Sequence, residues 1–362
     1  MTRSYRPKDL HAAGQDRPLE LSAQGFFWTG IEVIDHPAAG KAVRGQQYVE
    51  YWIPLALKHT LPIVMIHGGG NQGTDFLGTP DGREGWVKYF VRQGWAVYVV
   101  DRPQHGRSPL QPELQGEMSA PGPTEFLERM FTRPQDFPDS YSKAHLHDKW
   151  PGSGTIEDPA FQQFLAGAGP SLRDTARAQA DAQRAGAELL DKIGPALLLT
   201  SSAGAPAGWL IADARPELVR GILAVEPLGP PFASIGGTMP FGITHAPLRY
   251  DPLLGEDEEL RSADHPSPAK DLVAYKLQAE PARRLPNLCG FPIVVVTAEA
   301  SWMASDNHAM VRFLDQAGAM VEHLRLEDKG VHGNGHAMQV EVNNDEVARV
   351  IEQWIVDKGL GA

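Results

Sequence analysis

Short runs of consecutive apolar residues recur along this chain, and segments of helical spacing separate them. Ile63–Ile66, Ala96–Val100, Ala196–Leu199, Ile222–Val225 and Ile293–Val296 are continuous apolar stretches. Runs of that length fit parallel strands buried on both faces. Phe26–Ile34 and Gln47–Ile53 instead alternate apolar and polar residues, as strands of an antiparallel edge do, and Val321–Leu326 reads as a last, more mixed strand. Helices are expected over Gly85–Gln93, Leu172–Lys192, Ala203–Ala214, His308–Ala317 and Asp345–Lys358, with Gly94, Gly194 and Gly318 placed as C-caps. Two antiparallel strands followed by β-α alternation predict an α/β fold, a doubly wound, mostly parallel eight-stranded sheet. Sites in such sheets form at the carboxyl ends of the strands.

Two connections are much longer than ordinary α/β loops. They run over about 103–170 and 227–290. The first holds short helical pieces near Thr124–Met130 and Pro159–Leu165, and the second a helix near Pro268–Gln278. Their Trp, Phe, Leu and Met content favours packing, so both read as lid insertions over the strand ends of a single domain, 1–362.

Composition narrows the function. The formal net charge of −12 argues against nucleic acid as a partner, because phosphate binding needs a basic surface. Cys289 is the one cysteine, which excludes an internal disulfide and a multi-cysteine metal site. No stretch is apolar for long enough to span a bilayer. The first residues, Met1 to Lys8, are polar and show no signal peptide, so a cytoplasmic location is expected. The oligomeric state stays open, a homodimer included.

Chemistry is concentrated at strand ends. The apolar run Ala196–Leu199 leads into Thr200-Ser201-Ser202-Ala203-Gly204-Ala205-Pro206-Ala207-Gly208. Small residues around a serine suit a sharp strand-to-helix turn that pushes the side chain outward, a nucleophile elbow with Ser202 at its tip. Thr200 holds the place of the first glycine in the usual G-x-S-x-G form. A serine hydroxyl needs a base, a carboxylate to orient that base, and donors for the oxyanion. His67-Gly68-Gly69-Gly70 follows the third strand, where glycines let backbone N–H groups approach a ligand. Donors near Gly69 or Gly70, completed by the N–H of Ala203, suit an oxyanion hole. The loop lacks the lysine and the serine or threonine of a phosphate cradle. The turn from Asp101 to Ser108 supports the rim, with His105 structural. The base belongs in the loop after the last strand, where His336 is preferred to His332. A pairing of these histidines with His145 and His147 around a metal has no recognised ligand spacing. For the acid, Glu226 at the end of the sixth strand is favoured, with Asp306 and Glu299 as alternatives after the seventh.

With these motifs in place the chain resembles the α/β-hydrolase superfamily, from about Phe26 to Ile355. Val225-Glu226-Pro227-Leu228-Gly229-Pro230-Pro231-Phe232 and Gly333-Asn334-Gly335-His336 resemble, more narrowly, an esterase branch whose acid is a glutamate after the sixth strand. Members of that branch can carry cysteines beside the oxyanion glycines, where this chain has Asn71 and Gln72. The resemblance implies a Ser202–His336–Glu226 triad and hydrolysis of small carboxylic esters, lactones among them, through an acyl-enzyme, with no cofactor and no metal. An acyltransferase, or a non-catalytic protein binding a small ligand on the same fold, are the competing readings.

Overall fold

A computed structural model describes residues 5–361 except 16, 37–39, 234–236 and 256–257. Met1 to Ser4, half of the segment on which the location was judged, lie outside the described residues. Eight strands form the main sheet: β1 (Leu21–Thr29), β2 (Gln47–Pro54), β3 (Ile63–Ile66), β4 (Val97–Asp101), β5 (Ala196–Ser201), β6 (Val219–Val225), β7 (Pro292–Thr297) and β8 (Met320–Arg325). Their spatial order is β1-β2-β4-β3-β5-β6-β7-β8. β2 is antiparallel to both β1 and β4, and the remaining pairs are parallel. This is the doubly wound α/β architecture that the apolar runs predict.

Five helices cover the two faces: α1 (Trp86–Gln93), α2 (Thr175–Ile193), α3 (Ala205–Ala214), α4 (Asn307–Gln316) and α5 (Asn344–Asp357). Strand alternation divides the core between them. Ala196 and Leu198 of β5 pack with Leu189 and Leu190 of α2, Leu210 and Ile211 of α3, and Phe313 of α4. Leu197 and Leu199 face the opposite cluster, with Trp86 and Phe90 of α1 and Ile351 and Trp354 of α5. Both faces of β5 are therefore apolar, which is why its sequence shows no polar alternation. Gly94, Gly194 and Gly318 end α1, α2 and α4 at positive φ. α2 starts three residues later than its spacing predicts, because the Asp174 carboxylate accepts from the Arg177 N–H at 2.9 Å and caps it there.

Two expectations are corrected. Phe26–Ile34 is not one strand. β1 ends at Thr29, Gly30 turns at φ 69°, and Glu32–His36 pairs instead with Gly40–Arg44 in a separate hairpin. A Cβ on Gly30 would lie 2.5 Å from the Ala185 Cβ, so the chain breaks where it is pressed against α2. Nor is Pro268–Gln278 a helix. Tyr275–Gln278 is a strand antiparallel to Ser262–His265. Long-range bonds override the local pattern there: the Gln278 N–H donates to Gln316 Oε1 and the Gln316 amide donates back to the Gln278 carbonyl, each at 3.0 Å.

Register sets up the site. In adjacent strands Val225 pairs with Ser201 on one side and Val296 on the other. The next residues, Ser202 and Glu226, therefore leave the sheet side by side at its carboxyl edge, next to Thr297 at the end of β7. The turn after Ser202 is built for tight packing. A Cβ on Gly204 would lie 2.6 Å from the His67 carbonyl oxygen and 2.7 Å from that of Ile66, both backbone atoms with little room to move. Gly204→Ala is thus expected to cost about 1–3 kcal/mol, read as a lower midpoint in chemical denaturation; an unchanged midpoint contradicts this packing.

Candidate active site

Ser202 follows β5 at φ 50°, a left-handed conformation that non-glycine residues seldom adopt. Strain of this kind persists only where the surroundings enforce it. Here Gly68 and Gly69 pack against the turn, with Cβ positions 3.2 Å from the Cβ atoms of Ser202 and Ala203, and the Leu228 N–H donates to the Ser202 carbonyl at 3.1 Å. At the first glycine position of the motif, Thr200 is accommodated because Gly208 gives way. A Cβ at Gly208 would meet the Thr200 Cγ2 at 2.6 Å.

His336 Nε2 lies 2.9 Å from Ser202 Oγ, and its Nδ1 lies 3.1 Å from Glu226 Oε2. The structure thus brings together the three residues from β5, β6 and the final loop. Glu226 also has positive φ, at 50°, and its side chain is fully buried. A carboxylate there requires hydrogen bonds. The Ala298 N–H donates to Oε1 at 2.6 Å, the Ser301 hydroxyl donates to Oε2, and His336 supplies the third partner. Ser301 in turn accepts from the Met303 N–H at 3.0 Å. The imidazole sits between the Phe131 edge and the Trp302 ring, at centroid distances of 5.3 and 4.7 Å.

The competing residues lie elsewhere. Glu299 pairs with His332 at 3.0 Å, and His332 is exposed. Asp306 bonds to Ser305 at the start of α4; burial, with Glu226 nearby, pushes its carboxyl up to about 6. His145 is exposed and bonds to the Ser142 carbonyl, whereas His147 is buried against Glu341. The four histidines are therefore not assembled around one point. Among the described residues no group of three His, Cys, Asp or Glu side chains could hold a metal ion.

Sequence reasoning missed the supports of both loops. The Gly68 carbonyl accepts from His67 Nδ1 at 2.8 Å and from the Arg102 guanidinium at 2.7 Å, while His67 Nε2 accepts from the Arg102 N–H at 2.9 Å. Burial, and then the Arg102 charge, hold the His67 imidazole well below its usual range, so it is neutral and fixed as the Nδ1–H tautomer. Burial similarly pushes His105 down to about 3, consistent with its structural place beneath the rim. Glu341 anchors the other loop. Its fully buried carboxylate accepts from the Asn334 amide at 2.7 Å and the Gly335 N–H at 2.9 Å, and pairs with His147 Nε2 at 2.8 Å. It joins the residue before His336 to the first long connection.

Above Ser202 opens a cavity of about 420 Å³, within the range of small-molecule sites. Ser202, His336, Gly69 and Ala203 line it; Gly70 does not, and its carbonyl accepts from the Gly169 N–H at 2.7 Å. Both long connections add to the wall, the first through Phe126, Phe131 and Phe164, the second through Leu228 and His245. Among the described residues Asp75 is the one Asp, Glu, Lys or Arg side chain in this lining, and burial pushes its carboxyl up to about 7, with Asn71 opposing and Asp101 adding to the shift.

No protein-family model matches the chain. It is 40% identical over 335 residues to "Probable secreted lipase phiG" from Fungal sp. (strain ATCC 74256), a match covering 91% of this chain and 88% of that protein. Among solved structures, that of a bacterial esterase superimposes with a TM-score of 0.63 at 23% identity, over 94% of this chain and 97% of the other, which shows the fold. The fungal relative is named as secreted, and this overturns the cytoplasmic location expected from the sequence. That expectation rested on a few polar residues at the beginning of the sequence.

Two outcomes follow from the site's electrostatics. Removing one partner of a buried pair strands the other, so Glu341→Ala is expected to cost about 3–5 kcal/mol; equal denaturation midpoints for variant and wild type would contradict the role given to this carboxylate. For Asp75 the folded carboxyl binds its proton more tightly than the unfolded one, whose value is 3.8. Stability from this group therefore falls as pH rises between about 4 and 7. The stability of Asp75→Asn relative to wild type should accordingly increase from pH 4 to pH 8, measured by denaturation at both; a constant difference rejects the shift.

Proposed function

The chain belongs to the α/β-hydrolase family of esterases and lipases, and from that premise we propose that it is a serine hydrolase of carboxylic esters acting through an acyl-enzyme. The observation that carries this reading is the continuous line from Ser202 Oγ through His336 to Glu226, at 2.9 and 3.1 Å. His336 Nε2 takes the hydroxyl proton as Ser202 Oγ attacks the ester carbonyl. Glu226 holds the proton on Nδ1, which leaves Nε2 free to accept, and stabilises the imidazolium that forms. The Ser301 hydroxyl and the Ala298 N–H keep the carboxylate in place.

Backbone N–H groups of Gly69 and Ala203, on the two loops that meet beside Ser202, receive the oxyanion. His336 then gives its proton to the leaving alkoxide. Water enters, loses a proton to the same Nε2 and attacks the acyl carbon, which releases the carboxylic acid and restores Ser202. No step needs a cofactor. The Phe131 and Trp302 rings shield the imidazole from bulk water, which strengthens its bonds to Ser202 and Glu226. The two long connections act as lids, and Phe126, Phe131 and Phe164 of the first with Leu228 of the second hold the apolar part of the ester. The protein works outside the cell, as its fungal relative's name indicates for that protein. Among the described residues no helix is long and apolar enough to cross a membrane.

Turnover of a short-chain chromogenic ester tests the assignment. Ser202→Ala and His336→Ala should each lose about 10⁴-fold or more in kcat, and Glu226→Gln about 10³-fold or more, while His332→Ala stays within a few-fold of wild type. Wild-type rates in Ser202→Ala would remove the mechanism; full activity in Glu226→Gln would move the acid elsewhere.

A further inference from the structure

The cavity above Ser202 is apolar on most of its wall but not at one end. Asp75 and Phe164 line this cavity and also a second, adjacent one. Gln339 lines the first, and its neighbour Val340 lines the second. Asp75 and Phe164 therefore lie in the partition between the two spaces, and the consecutive residues Gln339 and Val340 border one space each. Gln339 is 95% buried by its 5% exposure, and its Oε1 has no hydrogen-bond partner. An amide oxygen in that state costs free energy until a donor reaches it. Asp75 is bonded to Asn71, and no Lys or Arg side chain lines the cavity to neutralise it. A carboxyl group and an unpartnered amide oxygen thus border a space whose other polar groups include hydroxyls, the Asn71 amide and two imidazoles.

Resting on the esterase reading, we propose that Asp75 and Gln339 are specificity-determining residues that select esters carrying a hydrogen-bond-donating group, a hydroxyl or an ammonium, on the part of the substrate remote from the scissile bond. A plain alkyl chain fills the aromatic wall but leaves the Gln339 oxygen without a donor and adds nothing to the bond that Asp75 makes with Asn71. A chain ending in a donor bonds to both groups and remains apolar along its length. A carboxylate-bearing ester is disfavoured, because its charge would meet Asp75 with no cation beside it. Sites of this kind discriminate strongly, since the analogue lacking the donor strands buried polar groups.

The test uses ethyl esters of linear four-, six- and eight-carbon acids in plain, ω-hydroxy and ω-amino forms, with acid release followed for wild type, Asp75→Leu, Asp75→Asn and Gln339→Met. The readout is the ratio of kcat/KM for each donor-bearing ester to that of its plain counterpart. Because the ratio is internal to each enzyme, a general loss of activity cancels. Wild type should prefer a donor-bearing ester by about tenfold or more at one chain length. Asp75→Leu should bring that ratio close to one, and Gln339→Met should lower it. In Asp75→Asn, a retained preference for the hydroxyl identifies a hydroxylated substrate, and loss of a preference for the amine identifies a cationic one. Ratios near or below one in wild type at every length overturn the proposal, as do ratios unchanged in both Asp75→Leu and Gln339→Met. Hydrolysis of the plain esters by wild type but not by Ser202→Ala keeps the esterase reading standing even then, so the two failures are distinct.

Discussion

The arrangement depends on a fully buried carboxylate at the end of a central strand. Glu226 leaves β6 with no access to water, in a left-handed backbone conformation. An unpaired charge there would cost several kcal/mol, so its oxygens must be satisfied by whatever the fold brings near. They are satisfied from separate segments: the start of the loop after β7 through Ala298, the same loop farther on through Ser301, and the final loop through His336. The carboxylate therefore ties three parts of the chain to one point. The parallel register of β5, β6 and β7 makes this feasible, because it sets Ser202 and Glu226 on neighbouring strand ends before any loop is placed.

The parts of the fold that were legible are those decided by burial on both faces. β3, β5, β6 and β7 appear as uninterrupted apolar runs because helices cover each side of the sheet. Segments whose structure depends on distant partners were not legible. Tyr275–Gln278 is a strand because Ser262–His265 lies beside it and Gln316 anchors its end, and nothing within the segment announces either partner. Phe26–Ile34 was read as continuous because alternation persists through Gly30, whereas the contact with Ala185 that forces the break is made by a helix far along the chain.

The same division holds within the site. Ser202 is visible from the small residues around it; the crowding of Gly208 against Thr200 is local, although that of Gly204 comes from the distant Ile66 and His67 carbonyls. Position at strand and loop ends favours Glu226 and His336 over their competitors without removing those competitors. In the structure the candidates pair differently: Glu299 with His332, Asp306 with Ser305, and Glu226 with His336. Ser301, Glu341 and Arg102 gave no usable signal, because each acts through a backbone group or side chain remote in sequence. Arg102 did sit in a turn singled out as support for the rim, and its bond to the Gly68 carbonyl gives that support a physical form.

Glu341 shows why the catalytic loop and the first long connection cannot be treated as separate devices. The carboxylate that fixes the Gly335 N–H also holds His147, and the Asp148 N–H donates to the Gly333 carbonyl at 3.1 Å. Displacing the connection would withdraw a donor from a buried charge, so its lower part is bound to the geometry of His336. The apolar patch formed by Trp150, Phe161, Phe164, Ala337 and Val340 adds contact at the same junction. Nearer the aromatic tip Phe126 and Phe131 are only half-buried, and Phe131 meets Phe126, Phe164 and His336 ring to ring. The first long connection is thus fixed at its root to the same loop that carries His336, through the Glu341 carboxylate and the Gly333 carbonyl.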